Sequence, residues 1–268
     1  MNSKYEINTK ENREFLKASC EDLLNFGHRF PSPNGGSYYL GDDGTPWKDR
    51  NRETWITCRM AHVYSLGLML GHEGSGELAD AALKGLKGEL HDEKNGGWYA
   101  GVTPEGDIVP NKQCYAHAFV ILAASSALTA GRPGAKELLE EALDVYDQHF
   151  WNEEEGLACD TWNTEFTVLD DYRGLNANMH TVEAFLAAGD VTGDKKYHIR
   201  AGRIIDHVIQ WAEDNSWRIP EHFTKEWVAD LDCNRDRPDD PFKPYGATPG
   251  HGIEWARLIT QWPLANCG

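Results

Sequence analysis

The sequence predicts an all-α protein built as an array of helical hairpins. Three observations carry that expectation. Turn signals recur at Gly71, Gly131 and Gly193-Asp194, at spacings of 60 and 62 residues, and a repeat of that length holding two helices and a loop marks stacked hairpins. Each of these turns is followed by a further helix, and the three read as an outer layer. The helices between them are apolar all round and rich in small residues, as an inner layer with neighbours on both faces requires. Closed on itself such an array is an α/α toroid. Left open it is a linear solenoid, and periodicity serves both equally.

The elements follow in order. Residues 11–27 form an amphipathic helix with Phe15, Leu16, Leu23, Leu24 and Phe26 near one stripe. Residues 30–47 are rich in Pro, Gly and Asn and read as loop, with a short hairpin at Ser37-Tyr38-Tyr39-Leu40. Residues 52–70 form a second helix, apolar nearly all round and so expected to be covered on both sides. Within it Arg59 is flanked by Trp55, Ile56, Met60 and Val63; a cation there either pairs with an acid or lines a polar cavity. Outer helices are expected over 78–90, 138–150 and 197–211, and inner ones over 113–129 and 176–188. A last helix starts at Pro249 and is expected to break at Pro263, leaving 264–268 as a tail.

Composition narrows the function classes. With 268 residues the chain has room for a large core and reads as a single domain, 1–268. A formal net charge of −17 argues against nucleic acid and anionic membrane surfaces as partners. The N-terminus has no apolar signal region, and the most apolar run, 118–130, is too short to span a bilayer. Six scattered cysteines, without C-x-x-C, suggest neither a zinc site nor a disulfide framework, and a cytoplasmic location is the simplest expectation. Eleven histidines include no H-x-x-x-H or H-E-x-x-H pair, so no metal is expected. The ten tryptophans and ten tyrosines suit either core packing or aromatic platforms for sugars.

The stretch with most chemistry is Thr248-Pro249-Gly250-His251-Gly252-Ile253-Glu254-Trp255. Thr248 is a fitting N-cap and Pro249 fits the first helical position. His251 falls in the first turn with Glu254 at i+3 on the same face. A carboxylate there holds the imidazole in one tautomer and favours its protonated form, while the helix N-terminus favours the neutral ring. Those opposed effects suit a histidine that gains and loses a proton near neutrality. Spacing alone serves equally an exposed histidine beside an ordinary surface charge.

Four ordered segments then carry a resemblance. They are Trp55-Ile56-Thr57-Cys58-Arg59-Met60-Ala61-His62-Val63-Tyr64-Ser65, Lys112-Gln113-Cys114-Tyr115-Ala116-His117, Tyr172-Arg173-Gly174-Leu175-Asn176-Ala177-Asn178-Met179-His180, and the stretch at 248–255. Together they resemble the N-acylglucosamine 2-epimerase superfamily, the first looking most like its mannose and sulfoquinovose aldose–ketose isomerase branch. The resemblance spans roughly residues 10–260 and implies an (α/α)6 barrel with the active site in the bowl at one end. It implies cofactor-free isomerisation or epimerisation of a monosaccharide. It implies substrate binding by Arg59, Tyr115, Asn176, Trp55 and Arg173, and catalysis by His251, Glu254 and His180. The chemistry wants these types: a base for the proton beside a sugar carbonyl, and a fixed cation for the enediolate.

A ring of six hairpins needs more residues than a repeat near 60 leaves here, so about four of six hairpins are expected, the C-terminal ones missing. No histidine follows His251, whereas the family's second catalytic histidine lies in the last hairpins. Apolar faces left at the ends of the array are expected to drive self-association into a homo-oligomer. Two other readings stand beside the isomerase. One is a catalytically impaired, sugar-binding remnant. The other is an (α/α)6 glycoside hydrolase using two carboxylates, with Asp170, Asp171 and Glu183 as candidates.

Overall fold

Helices alternate between two layers because their sequences do. The computed structural model describes residues 3–265, and among them are eight α-helices: α1 (Lys10–Gly27), α2 (Thr54–Met69), α3 (Ser75–Leu86), α4 (Cys114–Thr129), α5 (Ala135–His149), α6 (Leu175–Thr192), α7 (Lys195–Asp214) and α8 (Pro249–Ala265). Met1, Asn2 and the tail residues Asn266, Cys267 and Gly268 lie outside the described residues. Cys20, Cys58, Cys114, Cys159 and Cys233 are free thiols.

The inner layer is the row α2, α4, α6, α8. Each of the first three packs on the next and on its own outer partner, α3, α5 or α7. α4 is buried nearly all round, from Ala116 through Ala124, as its small apolar residues foretell. α7 buries only a stripe, Ala201, Ile204, Ile205 and Val208, while Arg200 and Arg203 point out to Glu153. Gly71 and Gly74 turn α2 into α3, and Gly131 and Gly134 turn α4 into α5, all at positive φ that β-carbon-bearing residues resist.

Short strands organise the other end. Arg52–Glu53 pairs with Gly101–Val102, Lys112–Gln113 with Thr161–Trp162, and Arg173–Gly174 with His222–Phe223, all antiparallel. Each pairing is followed at once by an inner helix. The first amide of that helix is satisfied by a carbonyl some fifty residues on: Thr54 N–H donates to Ala100 (3.0 Å), Cys114 to Asp160 (2.8 Å) and Leu175 to Glu221 (3.0 Å). Every inner helix of the first three is thereby delivered to the rim in the same register. The buried Lys112 ammonium, 2.9 Å from Asp92 Oδ2, fixes the adjoining loop; hydrogen bonds from Asn95 and Lys112 outweigh burial and hold the Asp92 carboxyl well below the usual range.

Two expectations are corrected. α2 is covered on one face only: Cys58, Ala61 and Tyr64 are fully buried, but Val63, Leu66 and Met69 are exposed. The row's end helices, α2 and α8, do not pack along each other, so the described residues form an arc. The last helix also does not break at Pro263 but runs on to Ala265. A proline forfeits one hydrogen bond of the ladder, and the neighbouring Trp262 holds the turn, its Nε1 donating to the His198 carbonyl at 2.7 Å and its ring lying against Gly202. Trp255 and Leu258 are buried on that same face of α8, seven and four residues before Trp262, contributing about 1.5–3 kcal/mol for a large apolar side chain.

Candidate active site

The common register of the inner helices builds the site in two tiers. The second residue of each of α2, α4 and α6 is Trp55, Tyr115 and Asn176, and all three line one cavity of about 360 Å³. The Trp55 and Tyr115 rings meet edge to face at 5.9 Å. The Asn176 carboxamide makes no hydrogen bond to the protein among the described residues, so its donors and acceptor are free for a ligand.

One helical turn further on stand Arg59, Phe119 and His180, placed beneath the first tier by the i, i+4 rule. The Arg59 guanidinium lies 4.6 Å over the Phe119 ring and 5.4 Å from Trp55, and donates to the Tyr115 hydroxyl at 3.3 Å. No carboxylate pairs with it among the described residues. Of the two sequence alternatives for this cation, the buried ion pair is not formed; Arg59 is exposed and lies outside the set of residues that line the cavity. Phe119 and His180 rings meet at 4.5 Å, and Tyr115 and His180 at 5.1 Å.

His180 Nδ1 faces Glu183 Oε2 at 3.2 Å, and the other oxygen of Glu183 accepts from Arg257 of α8 at 2.8 Å. Burial would raise the Glu183 carboxyl, but His180 and Arg257 overcome it and hold it at about 2. One ligand atom each from His180, Glu183 and Glu254 lies within 4.8 Å of the others. The cation at this cluster is Arg257, which also approaches Glu254 at 3.9 Å.

His251 carries the main correction. Its expected partner was Glu254, at i+3. The structure instead sets its Nδ1 2.9 Å from Oε2 of Glu221, a buried carboxylate thirty residues earlier. Oε1 of Glu221 accepts the Thr248 amide at 3.2 Å, so one carboxylate fixes both the ring and the helix entrance. The Glu221 hydrogen bond raises the His251 pKa against the effect of burial, and the Glu254 charge adds to it at longer range. With Nδ1 donating to Glu221, the Nε2 lone pair is left to accept a proton. The i+3 His–Glu geometry assigned to 251 and 254 is realised at 180 and 183.

Arg173 is also misplaced by the sequence reading. It is buried, and its Nη1 donates to the carbonyls of Asp170 (2.6 Å) and Tyr172 (2.8 Å), which shapes the loop behind the cavity. Its neighbour Tyr172 lines the cavity, donating its hydroxyl to or accepting from His222 Nδ1 at 2.7 Å. Two residues escaped the sequence reading altogether, Glu221 and Asp160. The signal existed: Ala100, Asp160 and Glu221 occupy one position of the repeat, sixty and sixty-one residues apart. The alternative hydrolase acid Glu183 is engaged by His180 and Arg257, and Asp171 is an exposed residue near Lys225.

The comparisons agree with this architecture. Residues 35–267 match the family described as N-acylglucosamine 2-epimerase (GlcNAc 2-epimerase). A D-mannose isomerase of Thermobifida fusca is 43% identical over 251 residues, which are 93% of this chain and 62% of that protein. One of Pseudomonas cannabina pv. alisalensis is 39% identical over 261 residues, 97% of this chain and 63% of that protein. The chain thus spans a little under two thirds of the length of these relatives. Among solved structures, a crystal structure of D-mannose isomerase superposes with a TM-score of 0.87 at 30% identity, covering 96% of this chain and 66% of that one. A cellobiose 2-epimerase from Bacillus thermoamylovorans B4167 superposes with a TM-score of 0.80 at 21% identity, covering 95% and 67%, a likeness of fold. These neighbours decide between toroid and solenoid: the arc is part of an (α/α)6 toroid. No helix among the described residues is long and apolar enough to cross a membrane. By its family match, and by relatives more than 30% identical over nearly all its length, this chain belongs to the N-acylglucosamine 2-epimerase family.

Proposed function

We propose that the chain acts on a monosaccharide as a cofactor-independent aldose–ketose isomerase, interconverting D-mannose and D-fructose by proton transfer at C2 through an enediolate. The observation that carries the reading is a pair of histidines on adjacent inner helices, His251 in the first turn of α8 and His180 one turn further into α6, each with Nδ1 on a carboxylate: His251 on Glu221 and His180 on Glu183. A histidine so held is an oriented, regenerable base.

In this reading His251 Nε2 takes the C2 proton and returns it to C1, and Glu221 stabilises the imidazolium formed between the two steps. Arg59, a fixed cation without a carboxylate partner, stabilises the negative oxygen of the enediolate. His180 with Glu183 supplies the acid–base group for opening the pyranose. Trp55, Tyr115 and Asn176 hold the sugar, and Glu254 adds negative charge near His251. The identities of 43% and 39% to D-mannose isomerases support the choice of sugar.

The test is proton NMR of D-mannose with the purified chain in D2O. Fructose carrying deuterium at C1, or mannose exchanging its C2 proton, supports the reading, and His251→Asn abolishes both. A folded chain that binds mannose without exchange favours the sugar-binding remnant instead.

A further inference from the structure

Behind the two tiers of the site, one hydroxyl from the outer layer grips two inner helices. Tyr146 of α5 is fully buried, and its hydroxyl stands 2.5 Å from Thr181 Oγ1 of α6 and 3.0 Å from Cys114 Sγ of α4. Thr181 spends its own hydrogen on the Ala177 carbonyl at 2.8 Å. It therefore accepts from Tyr146, whose oxygen accepts from the Cys114 thiol, and each hydrogen of the chain has one direction. Burial holds both the thiol and the phenol well above their ordinary pKa values, so both keep their protons. Among the described residues no side-chain hydrogen bond outside this trio joins α4 to α6, or either of them to α5.

Both inner-helix members of the trio are chain neighbours of site residues. Tyr115 follows Cys114, and His180 precedes Thr181. Successive residues on a helix point about 100° apart, so a grip on Cys114 and Thr181 from outside fixes where Tyr115 and His180 point inside. Those two rings meet edge to face at 5.1 Å, and the Tyr115 hydroxyl accepts from Arg59 at 3.3 Å. Side chains stand about 5–6 Å from a helix axis, so a rotation of about 10° carries a ring by about 1 Å. A displacement of that size can cost on the order of 10²-fold in rate. The Tyr146 ring is held independently of its hydroxyl, by Phe150 at 5.4 Å and Phe185 at 5.5 Å, so removing the oxygen leaves the packing in place. A buried polar trio adds little net stability over apolar groups of the same shape. What it adds is direction, because each bond admits one orientation of its partners.

We infer that Tyr146 is a positioning residue: acting through Cys114 and Thr181, it sets the rotation of α4 against α6 and with it the Tyr115–His180 wall of the site. The inference rests on the isomerase reading and adds to it a residue that never touches the sugar.

The test compares Tyr146→Phe, Thr181→Val and Thr181→Ser with Leu139→Ala, a buried position of α5 about two turns away. Each intact chain is assayed for D-mannose isomerisation below its melting temperature, and the His180 ring protons are followed by NMR. Tyr146→Phe and Thr181→Val each lower kcat by about tenfold or more, and by more than they raise KM. Thr181→Ser keeps the hydroxyl and stays within about twofold of the wild-type kcat. Leu139→Ala opens a cavity and lowers Tm at least as far, yet leaves kcat within about twofold. The inference is overturned by a kcat within about twofold of wild type in both Tyr146→Phe and Thr181→Val, by a Thr181→Ser variant as impaired as Thr181→Val, or by an equal loss in Leu139→Ala. A wild-type chain without isomerase activity overturns the isomerase reading instead, and the His180 resonances then decide the positioning role. Shifted in Tyr146→Phe but not in Leu139→Ala, they support it; shifted no more in Tyr146→Phe than in Leu139→Ala, they overturn it.

Discussion

Glu221 and His251 are thirty residues apart in the chain and 2.9 Å apart in the fold. The carboxylate is buried and the ring half-buried, and the second carboxylate oxygen is spent on the Thr248 amide at the entrance of α8. The helix therefore cannot move without its histidine losing a partner. Because His251 is raised above its ordinary 6.5, the stabilisation from this pair is fully present below pH 6.5 and fades as pH climbs through the raised value.

Replacing Glu221 by Gln keeps the shape and removes the charge. On the proposed isomerase reading kcat falls by about 10²-fold or more, as when the carboxylate behind a catalytic histidine is neutralised. His251 must be neutral to act as base, so the acid limb of kcat/KM moves to lower pH in the variant. Steady-state kinetics from pH 5.5 to 8.5 read both effects. An unmoved acid limb assigns the base elsewhere.

Arg257→Met separates α8 from α6 electrostatically. The lowered Glu183 carboxyl stabilises the fold above its ordinary 4.5, and that stability is lost as pH falls toward about 2. With Arg257 nearly half exposed, the variant is less stable than wild type by only about 0.2–1 kcal/mol at neutral pH. The difference shrinks on acidification through that window, as urea midpoints at pH 7 and pH 3 will show.

His117 predicts a different acid sensitivity. It is fully buried, Nε2 accepting the Trp98 amide at 3.0 Å and Nδ1 donating to the Gln113 carbonyl at 2.8 Å. Burial lowers its pKa to about 3. The unfolded chain takes up this proton near pH 6.5 and the folded one does not, so stability declines as pH falls from 6.5 toward 3. In His117→Gln the decline in Tm between pH 6.5 and 4.5 is smaller than in wild type, even though the variant starts from a lower Tm.

Gly85 of α3 touches the loop that supports the cavity. A β-carbon there meets the Gly36 nitrogen at 2.2 Å, and Gly36 sits at φ +81°. Gly85→Ala gains about 1 kcal/mol of helix propensity but forces two backbones apart, for a net loss of about 1–3 kcal/mol. A lower urea midpoint with unchanged slope is the expected result.

Much of the architecture was legible in the chain. The repeat near sixty residues, the apolar-all-round inner helices and the striped outer ones follow from which faces must be buried, and periodicity reports faces directly. That same periodicity puts Trp55, Tyr115 and Asn176 in one tier and Arg59 and His180 in the next. Only the tertiary structure decided partners. Glu221 meets His251 through the path of a loop, and Arg257 reaches Glu183 across seventy-four residues. Helical spacing fixes which way a side chain points, because local geometry sets it. What the side chain meets depends on where another helix was delivered: paired rim strands deliver α2, α4 and α6, and the Glu221 carboxylate on the Thr248 amide holds the entrance of α8.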